Sequence, residues 1–161
     1  MANDLIQPAE LIGFAGAPYH QAAVDAAVGA LRAECEWHIA PVHEDTWTIR
    51  TGGQDTIVLR TLLVQEVLAI APAVDLLRVH DLGDGVLYLP GGWPAVVTIT
   101  VRHGYDVCPP ELHPLIAGRA YTGVAGRVRS ESIGGRSVTL ESGADPSADA
   151  VLSKYMLGGR V

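Results

Sequence analysis

The sequence predicts an α+β domain, with helices at both ends of a strand-rich middle. Three observations carry this. Val24, Ala27, Val28, Leu31 and Cys35 recur at helical spacings of three, four and seven. From Pro41 to Arg102, short stretches of alternating residues are separated by Gly, Pro and Asp-Gly turns. At Pro109-Pro110 the pattern switches back to a helical stripe formed by Leu112, Ile116, Ala120 and Val124.

The elements are taken in order. Gln7-Pro8-Ala9-Glu10 starts a short helix of about two turns, with proline at the first position and an acid in the first turn. A longer helix is expected from Pro18 to Trp37; it is alanine-rich and suited to close packing. Thr46–Arg50 and Thr56–Arg60 read as strands across a Gly52-Gly53 turn, with further strands at Val64–Ile70 and Leu76–His80. Asp84-Gly85 is a hairpin signal. Val86–Leu89 and Val96–Arg102 are expected to pair across PGGWP, so the middle is predicted to be an antiparallel meander. Within the second of these strands, Val97, Ile99 and Val101 share one face, and Thr98, Thr100 and Arg102 the other.

A further helix opens at Pro109 or Pro110 and packs on the N-terminal helix pair. Pro114 either starts it or distorts its first turn. Gly118, Gly123 and Gly126 lower its intrinsic helicity but permit close helix contact. After it, Arg129–Arg136 reads as a linker, Ser137–Glu141 as a lone strand, Ser142–Asp149 as loop, and Ala150–Leu157 as a helical turn or two with Leu152, Tyr155 and Met156 on its apolar side. Residues 1–129 are thus expected to form the core, and residues 130–161 an extension that docks on partner subunits.

The chain has 161 residues, 48% of them hydrophobic and 18% charged, which suffices for a core without disulfide or metal staples. The net charge of −7 argues against a general nucleic-acid binder. Residues 1–108 hold 13 acids and 5 bases, a net −8; residues 109–161 hold 5 acids and 6 bases, a net +1. This asymmetry can set the polarity of an assembly contact. Cys35 and Cys108 read as reduced thiols, Cys35 on a buried helix face. No targeting segment is evident at the N-terminus, and the uncharged run Gly85–Val101 is interrupted by Pro90 and Pro94, so no membrane span is expected.

Chemistry-bearing clusters are sparse. His103, Cys108 and His113, and separately Cys35, His38 and His43, contain soft ligands, but neither spacing fits a zinc pattern. No nucleophile elbow, P-loop or matched carboxylate pair is present. No catalytic residue, metal or cofactor is therefore expected, and the chain is not read as an enzyme. Arg127, Arg129, Arg136, Lys154 and Arg160 form a loose basic series that reads as a solvated face or a docking surface for an acidic partner. Trp93, inside a Gly/Pro turn, either caps the end of the sheet or stands exposed as an interface anchor.

The succession of parts is more specific than any one motif. A helix pair is followed by a strand-rich insert, the strand ending in His103-Gly104-Tyr105-Asp106 with Pro109 or Pro110 opening a helix, then Ser130-Glu131-Ser132-Ile133-Gly134-Gly135 with the strand Ser137–Leu140, and the terminal Leu152-Ser153-Lys154-Tyr155. This order resembles the head-to-tail connector (adaptor) proteins of long-tailed bacteriophages, particularly those infecting actinobacteria. The resemblance implies a virion protein assembled in the host cytoplasm and located at the neck. It would form a ring of about twelve copies beneath the portal, extending the DNA channel and joining the DNA-filled head to the tail. Its partners would be further copies of itself, the portal protein and stopper or tail proteins, with genomic DNA passing through without sequence-specific binding. The docking residues expected on this basis are Ser130, Ile133, Val138, Leu140, Leu152, Tyr155, Met156 and Arg160, together with Trp93. Two alternatives stand beside it: another neck or tail ring protein (stopper or tail terminator), and a small non-catalytic β-rich binding module with Trp93, Trp47 and Tyr88 along a groove.

Overall fold

The computed structural model describes residues 5–125, 131–133, 136–138 and 146–157. Among the described residues it is an α+β structure with a helical layer, two three-stranded antiparallel sheets and a separate two-stranded ladder. A single 3-10 turn, Pro8–Leu11, stands where a two-turn helix is expected. Glu10 Oε2 accepts the Gln7 N–H at 2.6 Å, so the start signal is used, but Gly13 and Gly16 follow too soon for an α-helix to propagate. The N-terminal helix pair is therefore one turn and one α-helix.

Helix α1 spans Gln21–Cys35, shorter than the Pro18–Trp37 expectation. Glu36 takes the left-handed conformation (φ 64°) and returns its N–H to Arg32 O, which ends the helix. Val24, Ala27, Val28, Leu31 and Cys35 are its buried face, as the spacing predicts. They pack on helix α2, His113–Ala125, which a 3-10 turn at Pro110–Leu112 precedes. Pro114 falls at the second helical position, where its missing N–H costs no helical hydrogen bond. Leu112, Ile116 and Ala120 are buried against α1 and its neighbours. A fully buried Leu or Ile contributes about 2–3 kcal/mol here. Gly118 does not serve that contact: a Cβ there would meet nothing within 4 Å.

The strands do not form a meander. One sheet has the order β1-β6-β3, from His43–Arg50, Val96–His103 and Val64–Ala71. The other has the order β2-β5-β4, from Thr56–Val58, Val86–Tyr88 and His80–Asp81. The PGGWP segment therefore carries the chain from one sheet to the other, and the hairpin expected between Val86–Leu89 and Val96–Arg102 does not form. Gly91 and Gly92, both at positive φ, let the backbone make that crossing. The residues expected as a strand at Leu76–His80 are mainly a 3-10 turn, Leu76–Arg78, because Asp75 Oδ1 captures the Leu77 N–H at 3.0 Å. The Asp84-Gly85 hairpin is present. Its two central residues are at φ 53° and 71°, and Val86 N–H bonds to Gly83 O.

Val97, Ile99 and Val101 on β6 face inward with Ile57, Leu59, Leu87, Leu89 and Trp93, so both sheets share one apolar core. The helical layer has its own core, which Trp37, Ile39 and Tyr155 complete. The C-terminal part differs from its expected form. Glu131–Ile133 (β7) and Arg136–Val138 (β8) pair with each other as an antiparallel ladder, not as linker and lone strand. Helix α3 spans Pro146–Ser153, so it begins inside the Ser142–Asp149 stretch read as loop and ends within the expected Ala150–Leu157 helix.

Candidate functional site

The expected partner-facing residues separate into three groups. Tyr155 is buried in the chain's own helical core, and its carbonyl accepts Trp37 Nε1–H at 2.6 Å. Leu152 and Met156 are half-buried against the same core. Tyr155 is thus a core contact of its own chain, while Leu152 and Met156 keep part of their surface exposed. Burial pushes the Tyr155 phenol up to about 12, with Glu111 adding to the effect. Trp93 resolves to the sheet-capping alternative: it is buried, and its indole N–H donates to Asp55 O at 3.0 Å. Ile133 and Val138 lie in the β7–β8 ladder, whereas Ser130, Leu140 and Arg160 lie outside the described residues.

The aromatic groove imagined for a binding module does not assemble. Trp47 packs on His103 and Tyr88 on His80, while Trp93 is in the core. The groove that Trp47 does line contains neither of the other two.

A histidine cluster joins the two layers, and sequence spacing alone did not bring it together. His43 opens β1 and His103 closes β6 opposite it, while His38 lies in the connection after α1. The His38 and His43 rings are 5.1 Å apart, and His103 is within 6.5 Å of both. His103 Nε2 is 3.1 Å from Asp45 Oδ2, and its Nδ1 is 3.2 Å from Thr61 Oγ1. Thr61 Oγ1 also accepts the Leu63 N–H at 3.2 Å and donates to Leu63 O at 3.3 Å, which ties the hydroxyl to its own loop.

A hydroxyl, an imidazole and a carboxylate in line have the composition of a nucleophilic triad. Here Thr61 is 0% and His103 1% exposed, so no substrate atom reaches the hydroxyl. The chain instead clamps β1, β6 and the Thr61 loop together. Burial, helped by the Arg32 cation, lowers the pKa of His38. Cys35 and Cys108 are free, buried and far from nucleophilic. Desolvation raises their thiols to about 11 and about 12. The His103, Cys108, His113 and Cys35, His38, His43 sets do not converge, and among the described residues no three His, Cys, Asp or Glu side chains are placed to hold an ion. Among the described residues no helix is long and apolar enough to cross a membrane.

Two surface grooves stand out among the described residues. One, of about 650 Å³, runs along α1 and is lined by His20, Ala22, Ala26, Ala30, Glu34 and Arg119. Glu34 and Arg119 close its end with a 2.6 Å ion pair. The other, of about 440 Å³, follows β1 from Thr46 to Arg50 and is bounded by Val58 and Arg60. The alanine content of α1 was the sequence signal for the first. The second depends on which strand lies at a sheet edge, which local pattern does not encode. Leu77, 91% exposed at the tip of the Leu76–Arg78 turn, is a further apolar surface point that a strand reading concealed. No protein-family model matches this chain, and no curated protein matches it.

Proposed function

We propose that this chain is a structural virion protein of a long-tailed bacteriophage: a head-to-tail adaptor that forms a ring of about twelve copies beneath the portal. The ring extends the DNA channel and offers its far side to stopper or tail proteins. The observation that carries the reading is the groove along α1. Ala22, Ala26 and Ala30, with Ala23 and the buried Ala27 beside them, leave an open groove along α1 that adjoins its core-facing side and reaches Arg119 of α2. Small side chains let a neighbouring subunit approach the backbone closely, and the Glu34–Arg119 pair at the end of the groove gives the contact a polar stop. A closed ring needs such a heterologous contact, in which one surface meets a different surface of the next copy. The net charge of −7 suits a wall past which DNA slides without adhering.

The test is electron microscopy of lysates from phage in which this gene is silenced. DNA-filled or leaked heads beside complete, unattached tails support the adaptor reading. Tails of uncontrolled length point to a terminator instead, and normal infectious particles refute a neck role altogether.

A further inference from the structure

The β1-β6-β3 sheet treats its two edges differently. The β3 edge is interrupted by register shifts between Val64 and Glu66 and between Val67 and Ala69. Bulges of this kind twist an edge away from further pairing. The β1 edge has eight uninterrupted pairs with β6, no proline and no bulge. Every residue of β1 is exposed or half-exposed, including the inward-facing Trp47 and Ile49 that lean on the sheet core. Every second residue of such a strand turns its N–H and C=O away from its one partner. Beside this edge lies the groove bounded by Val58 and Arg60.

The same chain carries a segment suited to donate a strand. Twenty residues lie between Ala125 and Pro146, and both flanks are held in the helical layer, by α2 on one side and by α3 with Tyr155 on the other. Among the described residues of this excursion, β7 and β8 pair with each other and with no other strand. A two-strand ladder by itself is marginal in water.

The two sequences are complementary. The edge reads Asp45-Thr46-Trp47-Thr48-Ile49-Arg50, and the segment beginning at β8 reads Arg136-Ser137-Val138-Thr139-Leu140-Glu141, of which residues 139–141 lie outside the described residues. Laid parallel, Arg136 meets Asp45 and Glu141 meets Arg50. Val138 and Leu140 then share the inward parity of Trp47 and Ile49, and the hydroxyl residues share the outward one. Laid antiparallel, the same segment opposes like charges at both ends, which is unfavourable.

We propose that the segment starting at β8 adds as a parallel strand to the β1 edge of a second copy of this chain. Backbone pairing supplies the attraction, and the end charges set direction and register. The inference deepens the ring reading by naming a head-to-tail contact.

The test uses single cysteine additions on the full chain, Thr46→Cys in one and Ser137→Cys in the other, because Cys35 and Cys108 are buried. Each variant is first shown to melt as the parent does. Mixed under mild oxidation, the two are expected to yield the mixed dimer about tenfold above either homodimer. A chain carrying both substitutions is expected to give a ladder of multimers. Glu141→Arg should lower the mixed-dimer yield, and Arg50→Glu in the partner should restore it. A statistical mixture, no crosslink at all, or an intramolecular disulfide in the double variant overturns the proposal. Because the readout is made on purified chain, its failure leaves the phage microscopy to judge the neck role independently.

Discussion

Replacing Gly85 by alanine tests how the β4–β5 hairpin is seated. Gly85 is at φ +71°, and a Cβ added there would lie 1.9 Å from Thr61 O, a backbone atom that cannot swing aside. The left-handed conformation alone costs a non-glycine residue about 1 kcal/mol. Relieving the clash moves the hairpin by more than an ångström, which breaks the 2.8 Å bond from Leu59 N–H to Gly85 O. Leu59 is 2% exposed, so its N–H is left without water, at about 1–3 kcal/mol. Together these give about 2–4 kcal/mol, or a fall in Tm of roughly 5–15 °C for a chain of this size. Gly53→Ala is the control. Gly53 is also at positive φ (+80°) but has open space around its Cβ, so only the conformational part, about 1 kcal/mol, applies. Thermal melts of both variants and the parent by circular dichroism decide the matter. If Gly85→Ala loses no more than Gly53→Ala, the close approach of the hairpin to Thr61 is wrong.

Four further outcomes are expected. Trp93→Phe should cost about 2–3 kcal/mol in chemical denaturation, from the lost bond to Asp55 O and the smaller ring; an exposed anchor would leave stability unchanged. Trp37→Phe should remove the bond to Tyr155 O, lower stability by about 1–2 kcal/mol and hasten proteolytic cleavage around α3, read by mass spectrometry. In native protein, Cys35 and Cys108 should react with a thiol reagent at pH 8 far more slowly than in denaturant; two fast-reacting thiols in the folded state would contradict their burial. His38 has a lowered folded pKa, so the unfolded chain takes up its proton first as pH falls, and stability present above about 6.5 is lost below it. The drop in Tm between pH 7.5 and 5.5 should therefore be smaller in His38→Leu than in the parent.

Much of the local structure is legible from sequence. The alternation of Val97, Ile99 and Val101, the buried face of α1 and the Asp84-Gly85 turn each follow from a short-range pattern, and the structure repeats them. Strand partnership is different. It depends on where β6 lands after Trp93 turns inward, and β6 takes β1 and β3 as neighbours instead of β5. The start of α3 had a readable signal, Pro146 followed by Asp149 in the first turn, but the surrounding Ser, Gly, Ala and Asp suggested loop. The histidine cluster was illegible because His38, His43 and His103 converge only after β1 and β6 pair over their full length. Tyr155 looked like a free apolar anchor because the cavity it fills, beside Trp37 and Tyr105, is built from residues far earlier in the chain.

The unequal edges of the β1-β6-β3 sheet also limit how matter can accumulate on it. A sheet open on both sides templates fibrils, since each added strand presents a fresh edge. With the addition proposed at the unbulged β1 edge, and the register shifts of β3 opposing addition there, the sheet has an acceptor valence of one. Units with one acceptor and one donor cannot branch. They build only linear or closed strings, so on that proposal the register shifts in β3 would restrict growth to one direction.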